Sequence, residues 1–262
     1  MTERVTLREF VAAPKAAGSL RLLTFNMQVG IQTRAYHHYL LRSWQHLLPF
    51  KARHLALDAI ADLVSHFDIV ALQEADGGSW RSAKENQVEY IAQQANFPYW
   101  YHQVNRNLGQ LAQHANGLLS RMAAKHVEKH TLPGVLPGRG VMVFRFGSGD
   151  HELVIAVTHL ALDRRTQQNQ IAYLVDAVSD AKHLVIMGDL NQEAEWLLQH
   201  SALQTLSLHP IASHLSTYPS WRPNRAIDHI LISSSLKLGR IAVIDHPLSD
   251  HLPVAAEINF AI

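Results

Sequence analysis

The stretch Leu184–Asn191, LVIMGDLN, constrains the fold of this chain more than any other part of the sequence. Its first four residues are all apolar, which predicts a strand buried on both faces. Gly188 then lets the backbone turn, so that Asp189 and Asn191 follow at the carboxyl end of the strand. Polar side chains in such a position need partners. An ordinary strand-end turn is the structural alternative, because Asp, Asn and Gly are common turn residues.

Composition excludes several classes of protein. The chain has 262 residues, of which 47% are hydrophobic and 17% are charged, and this is typical of a globular protein with a sizeable core. The formal net charge of +1 gives no overall attraction to nucleic acid or to an anionic membrane. The absence of cysteine excludes disulfides, thiolate metal sites and a cysteine nucleophile. The GxSxG, HExxH and P-loop signatures are also absent.

The N-terminal region has no targeting signature. Charged residues are spread over the first 15 positions with no apolar segment between them, which argues against a signal peptide. No apolar run approaches the roughly 18 residues needed to cross a bilayer. We therefore expect a cytoplasmic protein without a transmembrane segment.

Hydrophobic periodicity predicts about ten strands, with helices between only some of them. This mixture favours mixed sheets covered by helices on their outer faces, in a single domain. We expect residues 1–19 to form a poorly anchored N-terminal arm, with the domain over 20–262. The aromatic-rich segment 27–50 fits either a packed flap or a substrate-facing loop. The predicted helices are 51–66, 84–95, 166–180 and 193–200.

Polar residues close or interrupt many of the apolar strands. In layered α/β proteins, strand ends that are distant in sequence can meet in one cleft. Four carboxylates in one cleft repel each other unless a cation lies among them, and oxygen ligands suit Mg²⁺ or Mn²⁺. A hard cation beside a His–Asp pair supplies what hydrolysis of a phosphate ester needs. The set is Asn26, Glu74, His159, Asp189, Asn191, Asp228, Asp250 and His251.

Seven short motifs occur in an order that resembles the endonuclease/exonuclease/phosphatase superfamily, the DNase I-like group. The resemblance runs from about residue 20 to the C-terminus. It implies an α/β (α+β) fold, namely a four-layered αββα sandwich of two mixed sheets flanked by helices, with a divalent-metal site at one rim. The motifs are TFN at 24–26, LQE at 72–74, NGLLSR at 116–121, THL at 158–160, GDLN at 188–191, IDHILIS at 227–233 and SDH at 249–251.

The resemblance also implies ligands for the metal and for the phosphate. Glu74 would be the principal ligand of Mg²⁺ or Mn²⁺, with Asn26 beside it. Asp250 would be a further ligand, directly or through water. Asn191 would hold a phosphoryl oxygen, and Asn116 would contact the phosphate.

Proton-transfer roles follow from the same resemblance. Asp189 would orient or deprotonate the attacking water. His251, oriented by Asp228, would contact the phosphate or act as the general base, and the division of this role between Asp189 and His251 stays open. His159 would act as general acid or stabilise the leaving oxygen. Gln28 departs from the pattern, since several nucleases of the family carry Asp there, and this weakens the case for a second metal.

The predicted function is a Mg²⁺- or Mn²⁺-dependent phosphoric ester hydrolase, in the first instance a nuclease-like phosphodiesterase. One alternative is a sphingomyelinase-like or inositol-phosphate-type hydrolase acting on a small or lipid phosphoester. Another is a binding or scaffold protein that keeps the fold without catalysis. The expected partner is the phosphoester substrate, and no obligate protein partner is evident.

Each site residue also has a structural interpretation. Asn26 and Glu74 could be strand-end caps, and His159 could be a hydrogen-bonded core histidine. His229 lies within an apolar strand, which favours a packing role. The pair Arg164–Arg165 fits either an anion-binding site or a solvated helix start.

Overall fold

A computed structural model describes residues 2–30, 51–134, 138–210 and 214–260. These residues contain thirteen strands and five α-helices. The strands are β1 (Thr2–Val5), β2 (Ser19–Asn26), β3 (Ile69–Asp76), β4 (Tyr99–Asn107), β5 (Gln113–Ser120), β6 (His126–Thr131), β7 (Gly140–Phe146), β8 (Leu153–His159), β9 (His183–Asp189), β10 (Leu208–Pro210), β11 (Asp228–Ser233), β12 (Lys237–Ile244) and β13 (Val254–Asn259). The helices are α1 (Leu7–Ala12), α2 (Lys51–Val64), α3 (Gln87–Gln94), α4 (Arg164–Val178) and α5 (Ala194–His200).

The strands form two mixed sheets, as the sequence predicts. One sheet has seven strands in the order β1-β12-β13-β2-β3-β5-β4, and the other has six in the order β10-β11-β9-β8-β7-β6. The pairs β2–β3 and β8–β9 are parallel, whereas their outer neighbours are antiparallel. Two parallel strands therefore lie near the centre of each sheet.

Three apolar clusters hold four layers together. The inner faces of the sheets pack on each other through residues such as Leu118 and Phe144. Helices α2 and α3 cover the outer face of the seven-stranded sheet, where Ile60 is fully buried. Helices α4 and α5 cover the six-stranded sheet through Ile171 and Leu197. These layers confirm the predicted αββα sandwich.

Capping residues set the exact starts of two predicted helices. Helix α3 begins at Gln87 because the side chain of Asn86 accepts hydrogen bonds from the next turn. Helix α4 begins at Arg164 because the Asp163 carboxylate accepts from the backbone N–H of Thr166. The periodic pattern indicates the helices, and these N-terminal caps set the first residue of each helix. Both helices begin within a few residues of the predicted start.

The expectation of a poorly anchored arm at the N-terminus is wrong for the residues that the structure describes. Strand β1 pairs in parallel with the edge strand β12. Phe10 of α1 is buried and stacks on Phe67 at 5.8 Å between ring centroids. A four-residue strand is too short to show periodicity, and its pairing depends on an edge formed by distant residues. The division of the chain at residue 19 stays a prediction.

Glu257 of β13 connects this N-terminal segment to the sheet. Its buried carboxylate accepts hydrogen bonds from Arg21, Arg240, Ser19 and the backbone of Ala16. Burial alone would raise the pKa of Glu257, but these donors outweigh it and lower the pKa below 4.5.

In the described ranges no helix is both long and apolar enough to cross a membrane. Most of the aromatic-rich segment, residues 31–50, lies outside the described residues.

Candidate active site

Neighbouring strands bring three site residues to one level at one rim of the six-stranded sheet. In the β8–β9 pair, His159 is opposite Asp189, and in the β9–β11 pair Asp228 is opposite the same residue. The seven-stranded sheet reaches this point through Asn26, whose Nδ2 donates to Asp189 Oδ2 at 3.0 Å. The rim is therefore shared by both sheets.

Gly188 allows β8 and β9 to approach closely just before the site. Its φ is +151°, and a Cβ at this position would lie 1.8 Å from the carbonyl oxygen of Thr158. Only a residue without a side chain fits there. The glycine of the GDLN motif thus sets the distance between the strands that carry His159 and Asp189.

Asp189 is surrounded by groups that orient its carboxylate. Besides the contact from Asn26, its Oδ1 accepts from the backbone N–H of Asn191 at 2.9 Å. Nε2 of His159 lies 3.4 Å from Oδ2. Burial and the negative charge of Asp228 raise the pKa of Asp189 to about 7.

A buried His–Asp pair lies beside this carboxylate. Nδ1 of His251 is 2.8 Å from Asp228 Oδ2, which also accepts from the Thr217 hydroxyl at 2.5 Å. Burial lowers the pKa of His251, but the charges of Asp228, Asp189 and Asp250 outweigh it and raise the pKa to about 10. His251 is therefore a cation at neutral pH, with Nε2 3.9 Å from Asp189 Oδ2.

The residues at this rim fit a divalent cation. Asp189, Asp228 and His251 have potential ligand atoms within 4.8 Å of one another, but a protonated His251 has no lone pair to give, so the carboxylates are the groups of this cluster that suit a cation. In the described part of the chain, Oδ1 of Asp228 is buried without a hydrogen-bond partner. Burial raises the pKa of Asp250 to about 6, with a contribution from the charge of Glu74. A bound cation relieves the repulsion in such an environment, where burial and a neighbouring negative charge raise the pKa of Asp189 and of Asp250.

Glu74 reaches the site through an irregularity in β3. The register between β3 and β5 shifts between Leu72 and Ala75, and Glu74 has a φ of +55°. Such a bulge re-aims a side chain at the edge of a site. Gln28, the departure from the family pattern, is buried, and its backbone N–H donates to Asn26 Oδ1 at 3.2 Å. This contact leaves the Asn26 amide nitrogen directed at Asp189.

Arg139 is a site residue that the sequence reasoning missed. One of its guanidinium nitrogens donates to Nδ1 of His159 at 2.9 Å. Because a guanidinium only donates, Nδ1 is the acceptor and Nε2 carries the hydrogen that faces Asp189. Burial and the charge of Arg139 lower the pKa of His159 well below its usual value, so this imidazole is neutral. A single arginine in the Pro- and Gly-rich sequence PGVLPGRG gave no signal of this contact. Thr217 was also missed, because it lies in a stretch of the sequence that carries no recognised motif.

A cavity of about 1060 Å³ opens beside these residues. The predicted phosphate contact Asn116 lines it together with Glu74 and His159, and three arginines contribute to its walls: Arg106, Arg139 and Arg165. The guanidinium of the neighbouring Arg164 instead lies 4.9 Å from the centre of the Trp196 ring. Of the pair Arg164–Arg165, only Arg165 therefore lines the cavity.

His229 lies outside the cavity. It is buried and its Nε2 is 2.9 Å from the Gln192 carbonyl, which confirms its packing role.

Comparison with known proteins identifies structures with the same fold. The structure of an endonuclease/exonuclease/phosphatase from Beutenbergia cavernae DSM 12333 is 18% identical in sequence and has a TM-score of 0.71. The alignment covers 93% of this chain and 72% of the Beutenbergia cavernae chain. A mannosyl-6-phosphatase from Bacteroides thetaiotaomicron VPI-5482 is 17% identical, with coverages of 92% and 100% and a TM-score of 0.67. The catalytic domain of human Nocturnin is 16% identical, with coverages of 93% and 94% and a TM-score of 0.66. At these identities the similarity shows the fold.

No curated protein sequence matches the chain. The model of the Endonuclease/Exonuclease/phosphatase family, however, matches residues 23–251, from Leu23 in the middle of β2 to His251. Members of this family are phosphoesterases. The chain belongs to the endonuclease/exonuclease/phosphatase family.

Proposed function

We propose that this protein is a divalent-metal-dependent phosphoesterase that hydrolyses a P–O bond with an activated water. The observation that carries the proposal is the arrangement around Asp189. Its carboxylate is held by Asn26 and Asn191 and lies beside the His251–Asp228 pair. Carboxylates, amides and a cationic imidazole at one rim are the groups that phosphoester hydrolysis needs.

Asp189 is the group that we assign to the attacking water. Oδ1 accepts from the Asn191 backbone and Oδ2 accepts from the Asn26 amide, and a carboxylate oxygen with one such bond can still accept a hydrogen from water. Its pKa of about 7 lets it hold that proton after transfer. The donors from Asn26 and His159 fix the direction of Oδ2 before the reaction begins.

His251 is assigned to the phosphoryl group. Because Asp228 accepts from Nδ1, Nε2 is free to donate to a phosphoryl oxygen. A pKa of about 10 keeps the imidazole positive at neutral pH, which suits charge stabilisation and leaves Asp189 as the better base.

His159 and Arg139 are assigned to the leaving side of the substrate. A neutral His159 favours the second of its two predicted roles, stabilisation of the leaving oxygen, over that of a general acid. Glu74, Asn26 and Asp250 are proposed to hold Mg²⁺ or Mn²⁺. The bound cation would neutralise negative charge on the phosphoryl oxygens.

A small phosphoester is favoured over a nucleic-acid strand by the cavity. Its volume of about 1060 Å³ is close to the range of small-molecule sites. Among the described residues its lining contains no Phe, Tyr or Trp, the large aromatic side chains on which the bases of a strand usually stack. The related structures include both a sugar phosphatase and Nocturnin, and the nuclease alternative stays a second candidate. An inactive scaffold is disfavoured because each proposed acid, base and ligand position carries a residue type that can perform its role.

The test is metal-dependent hydrolysis of bis(4-nitrophenyl) phosphate. We expect activity that is lost after treatment with EDTA and restored by Mg²⁺ or Mn²⁺. Asp189→Asn should lower kcat by about 10³-fold or more. Asp150→Asn, which removes an exposed carboxylate bonded to Lys182, is the matched control and should keep full activity. Hydrolysis that survives both EDTA and Asp189→Asn would overturn the proposal.

A further inference from the structure

The cavity is lined by an arginine for which the chemistry above has no use. Arg106 lies in β4, where the register with β5 shifts between Val104 and Arg106 and leaves Asn105 as an extra residue. Side chains of consecutive residues in a regular strand point to opposite faces. Here Asn105 and Arg106 both line the cavity, because the bulge turns the strand.

Arg106 is held next to a second cation. Its stem packs against Gly138, where an added Cβ would lie 3.2 Å from the Arg106 Cβ. The charge of Arg106 contributes, after burial, to lowering the pKa of the adjacent Arg139. Two like charges side by side are unfavourable unless an anion lies between them.

The neighbouring carboxylates act on Arg139 and leave Arg106 unpaired. The negative charges of Glu74 and Asp189 raise the pKa of Arg139 against the effect of burial, and Arg139 donates to His159. Among the described residues, no carboxylate forms an ion pair with Arg106. Arg106 is therefore an arginine of this cavity whose charge is available to a ligand.

We propose that Arg106, with Arg139 behind it, forms a subsite for a second anionic group of the substrate, beyond the phosphoryl group that reacts. This inference rests on the proposed function for the location of the reacting group. The ligand class is a phosphoester that carries a further phosphate or carboxylate. A guanidinium is suited to such a group because its donors match the geometry of both.

The subsite is tested by binding of compounds that cannot be hydrolysed. Isothermal titration calorimetry in Mg²⁺ compares propylphosphonate with a series of alkane bisphosphonates whose phosphonates are separated by two to five carbons. We expect at least one bisphosphonate to bind about tenfold more tightly than propylphosphonate, the gain of one charge-assisted hydrogen bond.

Matched variants assign the gain to one residue. Arg106→Gln should reduce the ratio of the two affinities to about one, and Arg106→Lys should restore part of it. Arg8→Gln removes an equal charge from the exposed face of α1 and should leave the ratio unchanged. Circular dichroism checks that each variant is folded.

The outcomes separate the subsite from the catalytic proposal. The subsite is overturned, even in an active enzyme, if wild-type protein binds every bisphosphonate no more tightly than propylphosphonate. It is also overturned if Arg106→Gln and Arg8→Gln reduce the affinity ratio equally. A ratio that depends on Arg106 supports it even if no diester is hydrolysed, because the readout is binding. A phosphorothioate trithymidine, which carries two consecutive backbone phosphorothioates, would identify the second anion as the next phosphate of a strand if it gains as much from Arg106. A gain confined to the bisphosphonates would identify a small substrate.

Discussion

Replacement of Gly188 by alanine is expected to disrupt both the stability and the geometry of the site. The new Cβ would lie 1.8 Å from the Thr158 carbonyl oxygen, and real contacts of this kind are no shorter than 3.0 Å. Strands β8 and β9 must therefore separate by about 1.2 Å, the difference between these two distances. A residue with a side chain at this φ costs about 1–3 kcal/mol, and displacement of packed backbone costs a similar amount. The sum predicts a loss of about 2–6 kcal/mol in the free energy of unfolding.

Urea denaturation followed by tryptophan fluorescence measures this loss. Gly149→Ala is the matched control, because Gly149 also has a positive φ, +58°, but an added Cβ meets nothing within 4 Å. The control should lose only about 1–2 kcal/mol, the conformational cost alone. Any folded Gly188→Ala protein should hydrolyse its substrate about 10²-fold more slowly, since Asp189 is displaced from His159. A free energy of unfolding within about 1 kcal/mol of the control would refute the close-approach reasoning.

Three further predictions concern individual contacts. Asp228→Asn should lower kcat by about 10³–10⁴-fold, because His251 loses the charge that orients it and keeps it protonated, as steady-state kinetics can show. Arg139→Gln should lower kcat/KM by about 10²-fold and change the nitrogen NMR shifts of the His159 ring, whose Nδ1 loses its donor. Glu257→Gln should reduce the free energy of unfolding by about 3 kcal/mol at neutral pH. Because the folded-state pKa of Glu257 lies below 4.5, its stabilisation is complete above that pH and is lost as the pH falls through the folded-state pKa. Urea denaturation at neutral and acid pH should show the two proteins converge in acid.

Each of these predictions has a control or a contradicting result. Normal kinetics in Asp228→Asn would remove the orienting role of that carboxylate. An unchanged His159 ring in Arg139→Gln would show that the contact at 2.9 Å has no effect in solution. Glu193→Gln changes an exposed carboxylate that makes no capping hydrogen bond, and should leave stability unchanged. An equal loss in Glu193→Gln and Glu257→Gln would contradict the network around Glu257.

Local pattern was sufficient for the elements and for most of the candidate site. The apolar run before Gly188 indicates a buried strand, and the polar residues that follow such strands are the ones that meet at the rim. A polar side chain at the end of a buried strand needs a hydrogen-bond partner, a metal or a substrate. Its position in the sequence therefore identifies it as a candidate site residue before the structure is known. Asp189 and His159, the last residues of β9 and β8, could be identified in this way.

Contacts between segments that are distant in sequence could not be read from the chain. Strand β1 forms because it pairs with the edge strand β12. Arg139 belongs to the site because its guanidinium contacts the ring of His159, which is 20 residues away in the sequence. Arg106 was missed for another reason, because its direction is set by a bulge in the pairing of β4 with β5, and local periodicity does not show where a bulge occurs. By itself the sequence determined the strands, the helices and the chemistry of their ends, because these depend on local periodicity and on residue type. Only the tertiary structure decided which cations face the cavity and which group each ring nitrogen of His159 and His251 contacts, because both depend on how separate strands and loops lie against one another.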